Sequence, residues 1–195
     1  MSQLSIQISA RVKAAIVSAL LCLPICVKAA SGDAPVSFSP QEEYIAKFVW
    51  ACPFYTKWPS NVSPKPEDAF IIGILRNDPY ARILQSYADN YPIKLQGEKQ
   101  HKVILKTFET LENASGCHLF LLGFAVAEHK KKMQALEKSS TLSISVDVGG
   151  GMLELLPDPR SQVSKVYTRH LNQSPIQKAN LEIGTPLKKV CRIVP

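Results

Sequence analysis

The sequence predicts a single α/β domain with a mixed, mainly parallel sheet flanked by helices, preceded by a signal peptide. Three observations carry this reading. Strand-like apolar runs alternate with helix-like stretches from Ser39 onward. Two of the runs, Phe70–Leu75 and Cys117–Phe124, are apolar almost throughout, which suits strands covered on both faces. The first thirty residues have another character. Arg11 and Lys13 form a positive start, Ala14–Val27 is uncharged and apolar, and Val27-Lys28-Ala29 puts small residues at the −3 and −1 sites of a cleavage point.

Residues 1–29 are therefore expected to be a secretory signal peptide cut after about Ala29. The apolar run is short for a bilayer span, so an uncleaved anchor is the rival reading. A lipoprotein reading at Cys26 is weaker, because Leu23-Pro24-Ile25 lacks the small residue wanted before the cysteine. Cleavage leaves Ala30–Pro195, enough for one ordinary domain that buries roughly 70% of its unfolded surface. It also removes Arg11, Lys13 and Lys28, which takes the formal charge from +7 to +4. That charge in an exported chain gives no argument for nucleic acid; it fits solubility first and an acidic partner or anionic surface second.

Residues 30–38 are small and polar, a flexible lead, and the domain is expected over 39–195. Ser39-Pro40-Gln41-Glu42 is a helix start: a side-chain acceptor, a proline suited to the first helical position, and a glutamate that closes a capping box. Tyr44, Ile45, Phe48, Val49 and Cys52 then make one apolar stripe, and Pro53 ends or kinks the helix. Trp58 precedes Pro59 and is expected to be extended. Asn61–Asp68, with two prolines, is a loop.

Phe70–Leu75 is the first strand. Asp78-Pro79 is read as the N-cap and first residue of a second helix, with Tyr80, Ile83, Leu84 and Tyr87 facing inward. His101–Phe108 is a second strand and Cys117–Phe124 a third, central one. Ala125–Leu136 is a helix with a lysine-rich side. Thr141–Val146, Met152–Leu156 and Val163–Leu171 are further strands, with Gly149-Gly150-Gly151 a turn between the first two. Thr185-Pro186 caps a short last helix carrying Leu187, Val190 and Cys191.

Few groups point to chemistry. Cys117 and His118 are sequence neighbours in a strand, so they face opposite ways and cannot form a nucleophile–base pair there. His101, His118, His129 and His170 are scattered without metal-ligand spacing, so no metal and no cofactor are expected. Asp147-Val148-Gly149-Gly150-Gly151 lacks the Lys-Ser/Thr of a phosphate loop and runs into a strand. Arg76, Asn77 and Asp78 join a strand's carboxyl end to a helix start, where open α/β sheets often bind ligands, and are the candidate ligand turn. Lys130, Lys131, Lys132 and Lys138 read as a solvated helix side or a docking face for an acidic partner. Trp50, Phe54, Tyr55 and Trp58 cluster at the end of the first helix and are the candidate partner or dimer surface, since aromatic groups are favoured anchors. No catalytic residues are found. Cys52, Cys117 and Cys191 remain after cleavage; an oxidising compartment permits one disulfide among three pairings.

Ordered motifs across about Glu43–Val194 resemble the YfiR-like family of bacterial periplasmic proteins. They are Phe54-Tyr55-Thr56-Lys57-Trp58-Pro59, Phe70–Leu75 running into Asp78-Pro79-Tyr80, Gly116–Leu121, Thr141–Ser145, Gly149–Met152 and Leu181-Glu182-Ile183. The resemblance implies a helix-flanked sheet, often dimeric, in the periplasm, and a regulator instead of an enzyme. It implies restraint of an inner-membrane diguanylate cyclase, or another membrane signalling protein, through its periplasmic region. An outer-membrane lipoprotein that sequesters the restrainer would let cyclic di-GMP rise. The alternative is a periplasmic small-molecule sensor. Some members carry a cysteine in the first strand that bridges to the cysteine of the third; here that position is Gly73, so Cys117 loses its partner. The glycine turn also lacks flanking cysteines. Against that background Cys52 and Cys191, each on the inward side of a terminal helix, are the candidate disulfide.

Overall fold

The computed structural model describes residues 37–95, 100–124, 132–133, 136, 138–147, 149–161 and 166–195. The expected signal peptide, most of the lead, most of the helix over Ala125–Leu136, and the start of the strand expected from Val163 lie outside these residues.

Helix α1 spans Pro40–Ala51 and starts as its sequence dictates. The Ser39 hydroxyl accepts from the Glu42 N–H at 3.2 Å, and the Glu42 carboxylate accepts from the Ser39 N–H at 2.7 Å. Ile45, Ala46 and Val49 are buried. Pro53 cannot donate to the α-helical ladder, and a tight 3-10 turn, Cys52–Tyr55, follows. The chain then forms β1 (Thr56–Lys57), β2 (Phe70–Leu75), α2 (Ala81–Asn90), β3 (Ile93–Lys94), β4 (Gln100–His101), β5 (Val103–Phe108) and β6 (Leu119–Leu122). There follow β7 (Leu142–Val146), β8 (Leu153–Pro157), β9 (Tyr167–Asn172), α3 (Gln173–Lys178), β10 (Glu182–Ile183), α4 (Thr185–Val190) and β11 (Arg192–Val194).

The main sheet has seven strands in the order β11-β9-β8-β7-β6-β2-β5. All neighbours are parallel except β8 and β9. This is the mixed, mainly parallel sheet that the sequence predicts. β6 and β7 lie at its centre and are buried throughout. One face carries α1, α2 and the larger core, with Ile45, Val49, Ile72, Ile74, Leu119, Leu121 and Ile144 fully enclosed. The other face carries a smaller cluster of Leu75, Phe108, Cys117, Phe120, Leu122, Met133 and Leu136.

Three expectations shift. The second helix starts at Ala81, not at Pro79. Asp78 does not cap it; its carboxylate turns the chain by accepting from the Tyr80 N–H at 3.0 Å. The strand expected over His101–Phe108 is two pieces, because β4 pairs antiparallel with β3 while β5 joins the main sheet. Gly184, not Thr185, is the N-cap of α4.

The glycine turn has an unexpected role. β7 and β8 run parallel, with Ile144 opposite Leu153, yet residues 147–152 alone connect them. Parallel neighbours normally need a connection of about a dozen residues or more. Here left-handed backbone at Asp147 (φ 62°) and Gly150 (φ 111°) turns the chain back on itself. The loop is tied down: Ser143 Oγ accepts from the Met152 N–H at 3.0 Å, Ser145 Oγ from Gly151 at 3.3 Å, and Glu154 from Gly150 at 2.7 Å.

Candidate functional site

The four aromatic residues at the end of α1 separate into layers. Trp58 is only 5% exposed and lies edge-on to Phe70, with ring centroids 5.6 Å apart. It belongs to the larger core, not to the surface. Trp50 is half-buried; its indole N–H donates to the Tyr91 carbonyl at 3.2 Å, and its ring meets Tyr87 edge-on at 5.3 Å. Phe54 is 39% exposed and meets Tyr55 edge-on at 5.0 Å. Tyr55 is half-buried, and its carbonyl accepts from the Gly184 N–H at 2.7 Å. The structure thus leaves Phe54 as the presented ring and holds it on a short, hydrogen-bonded turn. Tyr91, 45% exposed, was not singled out in the sequence. Its spacing of four from Tyr87 on α2 was the available signal.

The ligand turn is closed on itself. Asp78 is 5% exposed at the point where strand order reverses between β2 and β6. Its second carboxylate oxygen accepts from the Gly123 N–H, just past β6, at 2.6 Å. A side chain at Gly123 would strike that carboxylate and the Tyr80 ring. Asp78 therefore fills the crevice where an anionic ligand would sit in an open sheet. Burial pushes its carboxyl up to about 6, against the two N–H donors that favour the anion. Arg76 is exposed and pairs with Glu109 at 2.5 Å, and Asn77 is exposed.

Cys117 and His118 do not cooperate. Cys117 sits in the smaller cluster, where burial pushes its thiol up to about 11. His118 stacks on Phe70 at 5.0 Å on the other side, and its Nδ1 accepts from the Ile71 N–H at 2.9 Å. That bond places the proton on Nε2, and burial lowers the imidazole's pKa, so the ring is held neutral. In this structure Cys52, Cys117 and Cys191 are in the reduced, unbridged form. Among the described residues no group of three His, Cys, Asp or Glu side chains could hold a metal ion.

Two features were not legible in the sequence. A seam joins α1 to β9: Arg169 Nε donates to Tyr44 Oη at 2.7 Å, with its guanidinium over Tyr44 and Phe48. Gln41 donates to Tyr167 Oη at 2.5 Å, and Tyr44 stacks on Tyr167. The partners lie more than a hundred residues apart, and no local pattern announces them. The second feature is an open cleft of about 760 Å³ lined by Trp58, Ser60, Ser63, Lys65, Leu95 and Glu182. The buried Trp58 N–H has no hydrogen-bond partner. The sequence marked this stretch only as a loop.

Of the lysine run, Lys130 and Lys131 lie outside the described residues. Lys132 pairs with Glu112 at 2.5 Å, and Lys138 is exposed. No helix among the described residues is long and apolar enough to cross a membrane.

The family model described as YfiR/HmsC-like matches residues 42–192, from the first turn of α1 into β11. No curated protein matches the chain.

Proposed function

The chain belongs to the YfiR/HmsC-like family, and from that premise we propose that it is a non-enzymatic regulator of cyclic di-GMP signalling that works in the periplasm. The family match over most of the domain is the observation that carries this reading. After export and cleavage near Ala29, the domain binds the periplasmic region of an inner-membrane diguanylate cyclase or a related membrane signalling protein. It acts by population shift: higher affinity for the partner's inactive state draws the partner into that state. An outer-membrane lipoprotein that captures the regulator relieves the restraint.

The surface that makes the contact is the turn bearing Phe54, flanked by Tyr55 and Trp50. Supporting this, Phe54 is a large exposed ring on a turn pinned by Pro53 and by the Gly184 N–H. Exposed aromatic anchors on rigid backbone lose little entropy on binding and often dominate interface energetics. The test is co-purification of the partner cyclase from detergent-solubilised membranes with wild-type and Phe54→Ala protein. We expect at least a tenfold loss of capture, equivalent to about 1.4 kcal/mol, with an unchanged melting temperature. Equal capture by both proteins would show that the partner docks elsewhere.

A further inference from the structure

We propose that Cys52 and Cys191, reduced in this structure, form a disulfide under oxidising conditions, which fastens the C-terminal α4–β11 segment to the end of α1. Strand β11 runs parallel to β9 with Arg192 opposite His170, so the extended residue before it, Cys191, stands level with Arg169. Paired positions on parallel neighbours point to the same side of a sheet. The side in question is the one facing α1, because the Arg169 guanidinium lies over Tyr44 and Phe48. Cys52 comes one helical turn after Phe48 and is completely buried in the same core, and Cys191 packs against that core. The segments are held together at their other ends as well: Thr56 pairs with Ile183, and the Gly184 N–H donates to the Tyr55 carbonyl. Burial first, and then the charge of Cys191, push the Cys52 thiol up, while Arg169 favours the thiolate of both cysteines. Cys117 lies in the cluster on the opposite face of the sheet, beyond reach of either.

The chemistry runs by thiol–disulfide exchange, with a small-molecule or protein disulfide as oxidant. The half-buried Cys191 thiolate attacks one sulfur of that disulfide, forms a mixed disulfide and releases one thiolate. Arg169 favours this thiolate, against the burial that raises its pKa. The Cys52 thiolate then attacks the Cys191 sulfur and expels the second thiolate. Two protein thiols are oxidised, the external disulfide is reduced to two thiols, and no other reactant is consumed. Cys52 is fully buried in the folded chain, so exchange is fastest while α4 and β11 are still docking.

In the cell the bridge rests on the reading that the chain is exported, so the decisive experiment supplies the oxidant directly. The mature chain, Ala30–Pro195, which keeps only Cys52, Cys117 and Cys191, is unfolded and reduced, refolded in a glutathione redox buffer, then denatured without reductant and alkylated. The expected result is alkylation of Cys117 alone and a cross-linked peptide pair containing Cys52 and Cys191. Cys117→Ser should keep that pair, and Cys191→Ser should abolish it while leaving Cys52 open to alkylation. Reduction should lower the melting temperature of the wild type and leave that of Cys191→Ser unchanged. Alkylation of all three cysteines, or a bridge containing Cys117, overturns the proposal. A bridge that forms here but is absent from protein taken directly from cells counts against export and not against the pairing.

Discussion

Asp78 concentrates the residue-scale physics of this fold. Its carboxylate binds the β2–α2 turn to the end of β6, and burial holds its pKa near 6, above the value of about 3.9 expected in the unfolded chain. The unfolded carboxyl therefore loses its proton first as pH rises. This group's contribution to stability is fully present below about pH 4 and is lost as pH passes through about 6. The loss amounts to at most about 3 kcal/mol, from two units at roughly 1.4 kcal/mol each. Asp78→Asn should flatten the stability profile between about pH 4 and 6.5, as measured by denaturant unfolding at a series of pH values. An unchanged slope would mean that Asp78 is not the titrating group. The sequence marked Asp78 as special but not its task, because the residue it grips, Gly123, is remote in the chain. The expected departure at Gly73 has a clear physical counterpart: a Cβ there would lie 2.9 Å from Cys117 Sγ and 2.7 Å from Phe120. Position 73 and Cys117 are therefore true neighbours, with Phe120 filling the space that a side chain would take.

At the scale of elements, legibility followed length. α1, β2 and β7 each carry a full cap, stripe or apolar run, and the structure has them where the sequence implied; β6 keeps only Leu119–Leu122 of the strand expected over Cys117–Phe124. β1, β3, β4 and β10 are two residues long, too short for any period to register, and exist because a partner strand is present. The parallel return from β7 to β8 was hidden for another reason: three glycines permit many turns, and the side chains of Ser143, Ser145, Glu154 and Asn172 select this one. α1 offers the cleanest energetic test. Its capping box rests on exposed local hydrogen bonds, so Ser39→Ala should cost about 1 kcal/mol in denaturant unfolding without altering Phe54 or the core. A loss near zero would show that the packing of Ile45, Ala46 and Val49 alone sets the helix start.

For the whole molecule, alternating strands and helices were enough to give the class of fold, while strand order was not. Sequence proximity says nothing about β11 lying beside β9, or about Arg169 reaching α1. The same limit applied to the site. The aromatic cluster was visible as a composition feature, but only burial separates Phe54, which is presented, from Trp58, which is covered. If this domain restrains the making of cyclic di-GMP, its loss must show in the cell. The most direct measurement is cellular cyclic di-GMP in a strain lacking the gene and in the same strain with it restored. A rise on deletion is expected, reversed by the wild-type protein and not by Phe54→Ala. An unchanged level across several growth conditions would contradict it.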